Sequence, residues 1–221
     1  MMKLGHLFAV SLAEIRMSDP EALSNELTQL FLEKEAAGDA FRNEMRRDTQ
    51  QGLFESRFDL FQWPDPAVKR LAAFCHKGVV SVLRNVTDYS DAEFAALRFD
   101  YHAWFHITRR GGYQGVHNHP NATWSGIYCV DPGDELPDRP QSGAVRFHDP
   151  RGFADQYMDA GNERLKLPLR HGGYQVNHEM GRLLVFPSYL PHEVFAYEGE
   201  RPRIVVAFNC WVRHGSPAGP D

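Results

Sequence analysis

The chain has 221 residues, 43% of them hydrophobic, enough to bury the core of one domain. Its 24 basic and 29 acidic residues give a net charge of -5 and Lys/Arg never run beyond two in a row, which argues against a nucleic-acid or other polyanionic partner. No apolar run approaches the roughly 20 residues of a membrane span, and Cys75, Cys129 and Cys210 form neither a disulfide framework nor a CxxC zinc site, so a cytoplasmic setting is expected.

Met1-Met2-Lys3 precedes LGHLFAVSLA, an apolar stretch of roughly signal-peptide length, but Gly5 and His6 interrupt it and Glu14 and Arg16 follow at once. A first strand fits better, with Leu4, His6, Phe8 and Val10 on one face and Leu7 and Ala9 on the other. Ser18-Asp19-Pro20 reads as a helix start, followed by an apolar stripe of Leu23, Leu27, Leu30 and Phe31. The stretch from Asp39 to Phe61 is polar and irregular. Trp63-Pro64-Asp65-Pro66 opens a second helix that places Val68, Leu71, Ala72 and Cys75 on one side and runs to about Leu83, and a third covers Asp91 to Leu97.

From Arg98 onward the pattern changes to short apolar or alternating runs broken by Gly, Pro, Asp and Asn, as in a sheet sandwich or small barrel. The expected strands are Phe99 to Thr108, Gly115 to His119, Ser125 to Val130, Ala144 to His148, Leu167 to Leu169, Gly173 to Asn177, Arg182 to Phe186, His192 to Tyr197 and Arg203 to Val212. Asp131 to Gln141 and Gly152 to Lys166 read as surface loops. The fold class is mainly β with N-terminal helices, in a single domain. Residues 1–97 carry the first strand and supporting helices, 98–212 the barrel and 213–221 a loose tail.

The sharpest local signal is Gly111-Gly112-Tyr113-Gln114-Gly115-Val116-His117-Asn118-His119-Pro120. Side chains two apart on a strand point the same way, so His117 and His119 present two imidazoles about 7 Å apart along the chain. Imidazole suits Fe, Zn, Cu and Ni alike, so the pair argues for a transition metal without choosing one; an accidental HxH among 11 histidines is the bland alternative. Gly181-Arg182-Leu183-Leu184-Val185-Phe186-Pro187 reads as a buried strand ending in a turn, after which His192 opens another strand and offers a third ligand. In the terminal strand Arg203, Val205, Ala207 and Asn209 share one face. An inward arginine there needs a carboxylate, either a bidentate ligand or a protein acid such as Glu198 or Glu200.

The ordered motifs HxH, SGIYCV at Ser125 to Val130, GAVRFHDP at Gly143 to Pro150, GRLLVFPSYLPH at Gly181 to His192 and RPRIVVAFN at Arg201 to Asn209 together resemble the 2-oxoglutarate/Fe(II) oxygenase family in an H-x-H variant. The resemblance spans Trp104 to Asn209. It implies a double-stranded β-helix of jelly-roll type, Fe(II) as metal and 2-oxoglutarate as cosubstrate. It places His117, His119 and His192 at the metal, Arg203 at the distal carboxylate, Asn209 as an inward residue near the metal and Tyr128 beside cosubstrate or oxygen, with no catalytic residue beyond the metal site. Most such oxygenases have a carboxylate where His119 stands, so three neutral imidazoles leave the metal one unit more positive. Cys129 stands where relatives often have a second tyrosine.

The histidine pattern also resembles the opening and closing halves of a cupin motif, although Thr123 and Trp124 occupy the usual glutamate's places and Tyr189 replaces a usual glycine. A three-His iron dioxygenase of the thiol-dioxygenase kind is therefore an alternative, as is a metal-binding barrel without catalysis. Arg203 and the FN pair favour the oxygenase, a hydroxylase acting on a small molecule or peptide. Tyr113, Trp124 and Cys129 are candidate pocket residues, His102 and His106 core or rim. His148-Asp149 is the nearest expected carboxylate, and Glu193 should face away. Substrate is expected to enter between Gly111–Gln114 and Asp131–Gln141, and a homodimer stays open.

Overall fold

The fold comes from a computed structural model that describes residues 1–4, 7–45, 48–152 and 158–215. Helix α1, Glu21–Ala36, begins after Pro20 and buries Leu23, Leu27 and Phe31, spaced four apart along one face. In α2, Pro66–Val86, proline occupies the first turn, where its missing N–H costs nothing; Val68, Leu71, Cys75, Val79 and Val82 form the buried stripe. The short α3, Asp91–Ala95, is opened by a capping box between Ser90 and Glu93.

The strands are β1 Ala13–Arg16, β2 Gln50–Glu55, β3 Leu97–His117, β4 Trp124–Asp131, β5 Val145–Phe147, β6 Tyr174–Val176, β7 Arg182–Pro187, β8 His192–Val194 and β9 Arg203–His214. They pair antiparallel in the order β1-β7-β4-β9-β3-β8-β5-β6, and β2 pairs with β3. Strand β3 lies against β9 from Leu97 to Thr108 and against β8 from Gln114 to His117, so the sheet curls back on itself as a double-stranded β-helix.

Alternation divides the apolar residues between two cores. Ile204, Val206, Phe208 and Cys210 of β9, with Phe105 and Ile107 of β3 and Leu183 and Val185 of β7, pack toward the helices. Val205, Ile127, Leu184, Phe186, Val145, Phe147 and Val194 fill the space inside the curl. The interior face of β9 is therefore the one that carries Arg203.

Several expectations need correction. The first strand is Ala13–Arg16, not the Leu4–Val10 stretch, where Gly5 and His6 lie outside the described residues and Phe8 has φ 58, incompatible with an extended chain. Ile15 instead aligns with Leu183 at the edge of β7. The polar Asp39–Phe61 region contains β2, which β3 recruits as a partner. The segments 99–108 and 115–119 fuse into β3, and Leu167–Leu169 lies in a turn region. Strands β1 and β2 join the same sheet as the later strands. Of the tail, 213–215 is described, and β9 extends to His214.

At Gly126, where β4 passes Phe208, a Cβ would stand 2.2 Å from the Phe208 ring and 3.0 Å from the Leu184 carbonyl. Gly126→Ala is expected to cost about 1–3 kcal/mol by overpacking. Gly152, with nothing within 4 Å, is the control. Equal urea midpoints for Gly126→Ala and Gly152→Ala would contradict this packing.

Candidate metal centre and carboxylate pocket

His117 ends β3 and stands opposite His192, the first residue of β8. His119 follows two residues after His117, and its backbone N–H donates to the Ser188 carbonyl at 2.8 Å, which ties it to the turn before β8. The ligand atoms of the three imidazoles all lie within 4.8 Å of one another. Ring centroids are 5.3 Å apart for His117–His119, 4.4 Å for His117–His192 and 5.3 Å for His119–His192.

Two of the rings are oriented by the backbone. Nδ1 of His117 is 2.7 Å from the Gly115 carbonyl, and Nδ1 of His192 is 2.9 Å from that of Leu190. A carbonyl only accepts, so each Nδ1 carries the proton and each Nε2 keeps its lone pair. Burial, first, and then His117 push the pKa of His192 down to about 3, with His119 and His148 adding to the fall and the Leu190 carbonyl opposing it. Neutral imidazoles converging at hydrogen-bonded positions are the donor set a borderline transition metal takes.

Arg203 shares this cavity with the three histidines. Its side chain is buried; Nη1 donates to Thr108 Oγ1 at 3.1 Å and Nη2 to His178 Nε2 at 3.0 Å, while Nε is buried without a partner. Among the described residues no carboxylate pairs with it. Glu198 lies by Arg139 and Glu200 bonds Arg110, so neither protein acid fills the role left open by the sequence. Burial pulls the guanidinium down to about 10, still protonated at neutral pH.

The other expected site residues divide. Cys129 is fully buried on the interior side of β4, and its thiol is pushed up to about 12 by burial, opposed first by Arg203. Asn209 accepts from Ser125 Oγ at 2.8 Å, and Ser125 in turn accepts from Ser188, the residue whose carbonyl holds His119. It thus braces the histidine turn and does not line the cavity itself. Tyr128 is one residue out of phase with Ile127 and points into the helix-side core, against Phe74 and the Met17 sulfur. Trp124 has the same parity and joins that core. Tyr113 lies in a surface depression with β2, because Gly111–Gln114 belongs to a bulged strand and is not a free loop.

The loop from Asp131 to Gln141 likewise does not frame the metal cavity; part of it covers the far side of Arg203. Asp149 is engaged by Arg151, and Glu193 bonds Arg146 and His148. His102 is exposed against Trp211. His106 is buried in the cavity wall, with Nε2 2.9 Å from Glu55 and 3.1 Å from Trp104 Nε1. Glu55, Thr108, Ser125 and His178 went unassigned in the sequence. Alternation along β3 could have found Thr108 from His106; no local pattern marks Glu55 or His178.

The depressed imidazole of His192 makes the metal-free fold acid-sensitive. The unfolded chain takes up a proton below the ordinary imidazole value of 6.5, while folded His192 resists until about 3, so stability is complete above 6.5 and falls as pH falls through that window. Urea unfolding of metal-free protein is expected to give a lower midpoint at pH 5 than at pH 7.5, and His192→Phe to flatten the difference. An unchanged slope in the variant would contradict the assignment.

Residues 102–209 match the model of the family described as "Putative 2OG-Fe(II) oxygenase". None of the curated proteins matches the sequence significantly. Among solved structures, a Pseudomonas putida prolyl-4-hydroxylase is 18% identical with a TM-score of 0.59, covering 93% of each chain. A Trichoplax adhaerens prolyl hydroxylase, solved with a hypoxia inducible factor peptide fragment, is 14% identical with a TM-score of 0.62, over 90% of this chain and 83% of that one. HygX from Streptomyces hygroscopicus, solved with nickel and 2-oxoglutarate, is 14% identical with a TM-score of 0.54, over 92% and 83%. At these identities the neighbours establish the double-stranded β-helix, and the matched segment contains His117, His119, His192 and Arg203. Over residues 102–209 the chain is thus matched to the family of 2-oxoglutarate- and Fe(II)-dependent oxygenases, on the fold that its structural neighbours share.

Proposed function

We propose that His117, His119 and His192 hold Fe(II), that Arg203 binds the C5 carboxylate of 2-oxoglutarate, and that the protein hydroxylates a small-molecule or peptide substrate. The observation that carries this reading is a buried guanidinium, without a carboxylate partner among the described residues, in the same cavity as three converging imidazoles. A buried cation left so is costly, and a ligand carboxylate is its natural complement.

The fit of the cofactor rests on the donor set. Nε2 of His117 and of His192 is unprotonated by virtue of the carbonyl contacts at Nδ1. When bound, the iron supplies oxygen activation coupled to oxidative decarboxylation of the 2-oxo acid. The chain's own residues bind and orient: the imidazoles fix the metal, Arg203 fixes the far end of the cosubstrate, and Trp104, Ile127, Phe186 and Val205 wall the cavity from water. A carboxylate-bearing thiol would complement the guanidinium as well, so it is the family match over residues 102–209, which includes Arg203, that favours the 2-oxo dicarboxylate.

The substrate class follows the family in its breadth: the Trichoplax adhaerens neighbour was solved with a peptide and another HygX structure with hygromycin B. Three buried, unpaired cysteines suit a reducing, cytoplasmic setting. Among the described residues no helix is long and apolar enough to cross a membrane.

Anaerobic addition of 2-oxoglutarate to the Fe(II) protein is expected to produce the visible charge-transfer band of a chelated 2-oxo acid. Arg203→Leu should weaken the half-saturating concentration roughly tenfold to a hundredfold, the worth of charge-assisted hydrogen bonds. No band at saturating iron, or thiol-dependent oxygen uptake without 2-oxoglutarate, would overturn the reading.

A further inference from the structure

His178 lies in the connection between β6 and β7 and reaches the site through its contact with Arg203. The guanidinium carries only donors, so at the 3.0 Å contact Nη2 donates and Nε2 of His178 accepts. His178 must therefore be neutral with its proton on Nδ1. Burial, then Arg203, then Arg182 hold its pKa well below the ordinary imidazole value, which keeps the acceptor available at neutral pH.

The surroundings of the guanidinium explain why this acceptor matters. The Nε side backs onto Gly143, where a Cβ would stand 3.0 Å from Arg203 Cδ and 3.3 Å from Nε. Among the described residues the amino end is held by Thr108 on Nη1 and His178 on Nη2. Thr108 is part of β3, which aligns it with Arg203 across the ladder. His178 comes from a connecting segment and borders a separate cavity, together with Asn177, Glu179 and the loop around Pro132–Ser142, that reaches Arg203 from the other side. Without it Nη2 would lose its acceptor and the guanidinium would be anchored by Thr108 alone among these two.

We propose that His178 is a positioning residue of the carboxylate pocket: by accepting from Nη2 it fixes the guanidinium toward the metal cavity and so sets the preference for a 2-oxo acid bearing a second carboxylate. The inference rests on the proposed role of Arg203. It concerns selectivity, since a 2-oxo acid that lacks the distal carboxylate makes no demand on Arg203. Replacement by a side chain that still accepts a hydrogen bond preserves the effect, whereas an apolar one of similar size loses it.

The test is anaerobic calorimetric titration of the Fe(II) protein with 2-oxoglutarate and with 2-oxopentanoate, which puts a methyl where the second carboxylate stands. His178→Leu is expected to raise the Kd for 2-oxoglutarate about tenfold, the worth of one hydrogen bond to a charged group. The Kd for 2-oxopentanoate stays within about twofold, and His178→Gln returns the 2-oxoglutarate value to within about threefold of wild type. Equal loss for both acids, no loss, or a glutamine variant no better than leucine would overturn the role of His178. Wild-type protein that binds 2-oxopentanoate as tightly as 2-oxoglutarate would instead overturn Arg203 as a carboxylate clamp, and this inference with it. Iron content and thermal midpoint, measured on each variant, separate these outcomes from misfolding; should His178→Leu fail to fold, the same comparison is made with His178→Asn and His178→Met.

Discussion

Strand β3 pairs with β9 up to Thr108 and with β8 from Gln114, and the metal centre depends on that change of partner. Through the first pairing Thr108 comes to lie opposite Arg203; through the second His117 comes to lie opposite His192. One strand therefore sets both the histidine end and the Arg203 end of the same cavity. The crossing is made by Arg109–Tyr113, where Gly111 takes φ 81 and Gly112 has no room for a Cβ beside the Gly52 carbonyl, 2.5 Å away. Small residues let β3 bend while β2 stays against it.

Electrostatics then follows from burial. Arg203 and His192 are each 2% exposed, and both are destabilised in the form water prefers at low pH: the arginine by desolvated charge, the histidine by any charge at all. The fold tolerates this because the imidazoles of His117 and His192 are hydrogen-bonded through Nδ1 and the guanidinium through Thr108 and His178. On the proposed reading a metal and a dicarboxylate would complete the same groups, giving the strain of the site and its ligand preference one origin. Glu55 is a carboxylate in the cavity wall, but it stands hydrogen-bonded to Asn43 and close to His106, outside the three-imidazole cluster.

Much of this was legible in the chain, and the reasons differ by residue. His117 and His119 are two apart on a strand, so parity alone brings them to one side, and the apolar strand β9 betrays Arg203 as an inward charge. Tyr128, placed by the family resemblance, and Trp124, placed by its nearness to the metal segment, alternate with Ile127 and Ser125 and so face the helices. Strand β2 was hidden because only Leu53 and Phe54 of its residues are apolar and its stability comes from pairing with β3, a tertiary cause that local propensity does not record. The same holds for β1, which replaces a more apolar segment upstream because the edge of β7 aligns with Ala13–Arg16. His178 lies in a connection, where no periodicity exists to mark it.

The central claim is that three imidazoles and one buried guanidinium serve a single ligand complex. A crystal structure of the protein grown anaerobically with Fe(II) and 2-oxoglutarate tests it most directly. The expected result is one metal ligated by His117, His119 and His192, with the cosubstrate's far carboxylate on Arg203. A metal bound without His119, or a cosubstrate whose far carboxylate lies away from Arg203, would contradict the account.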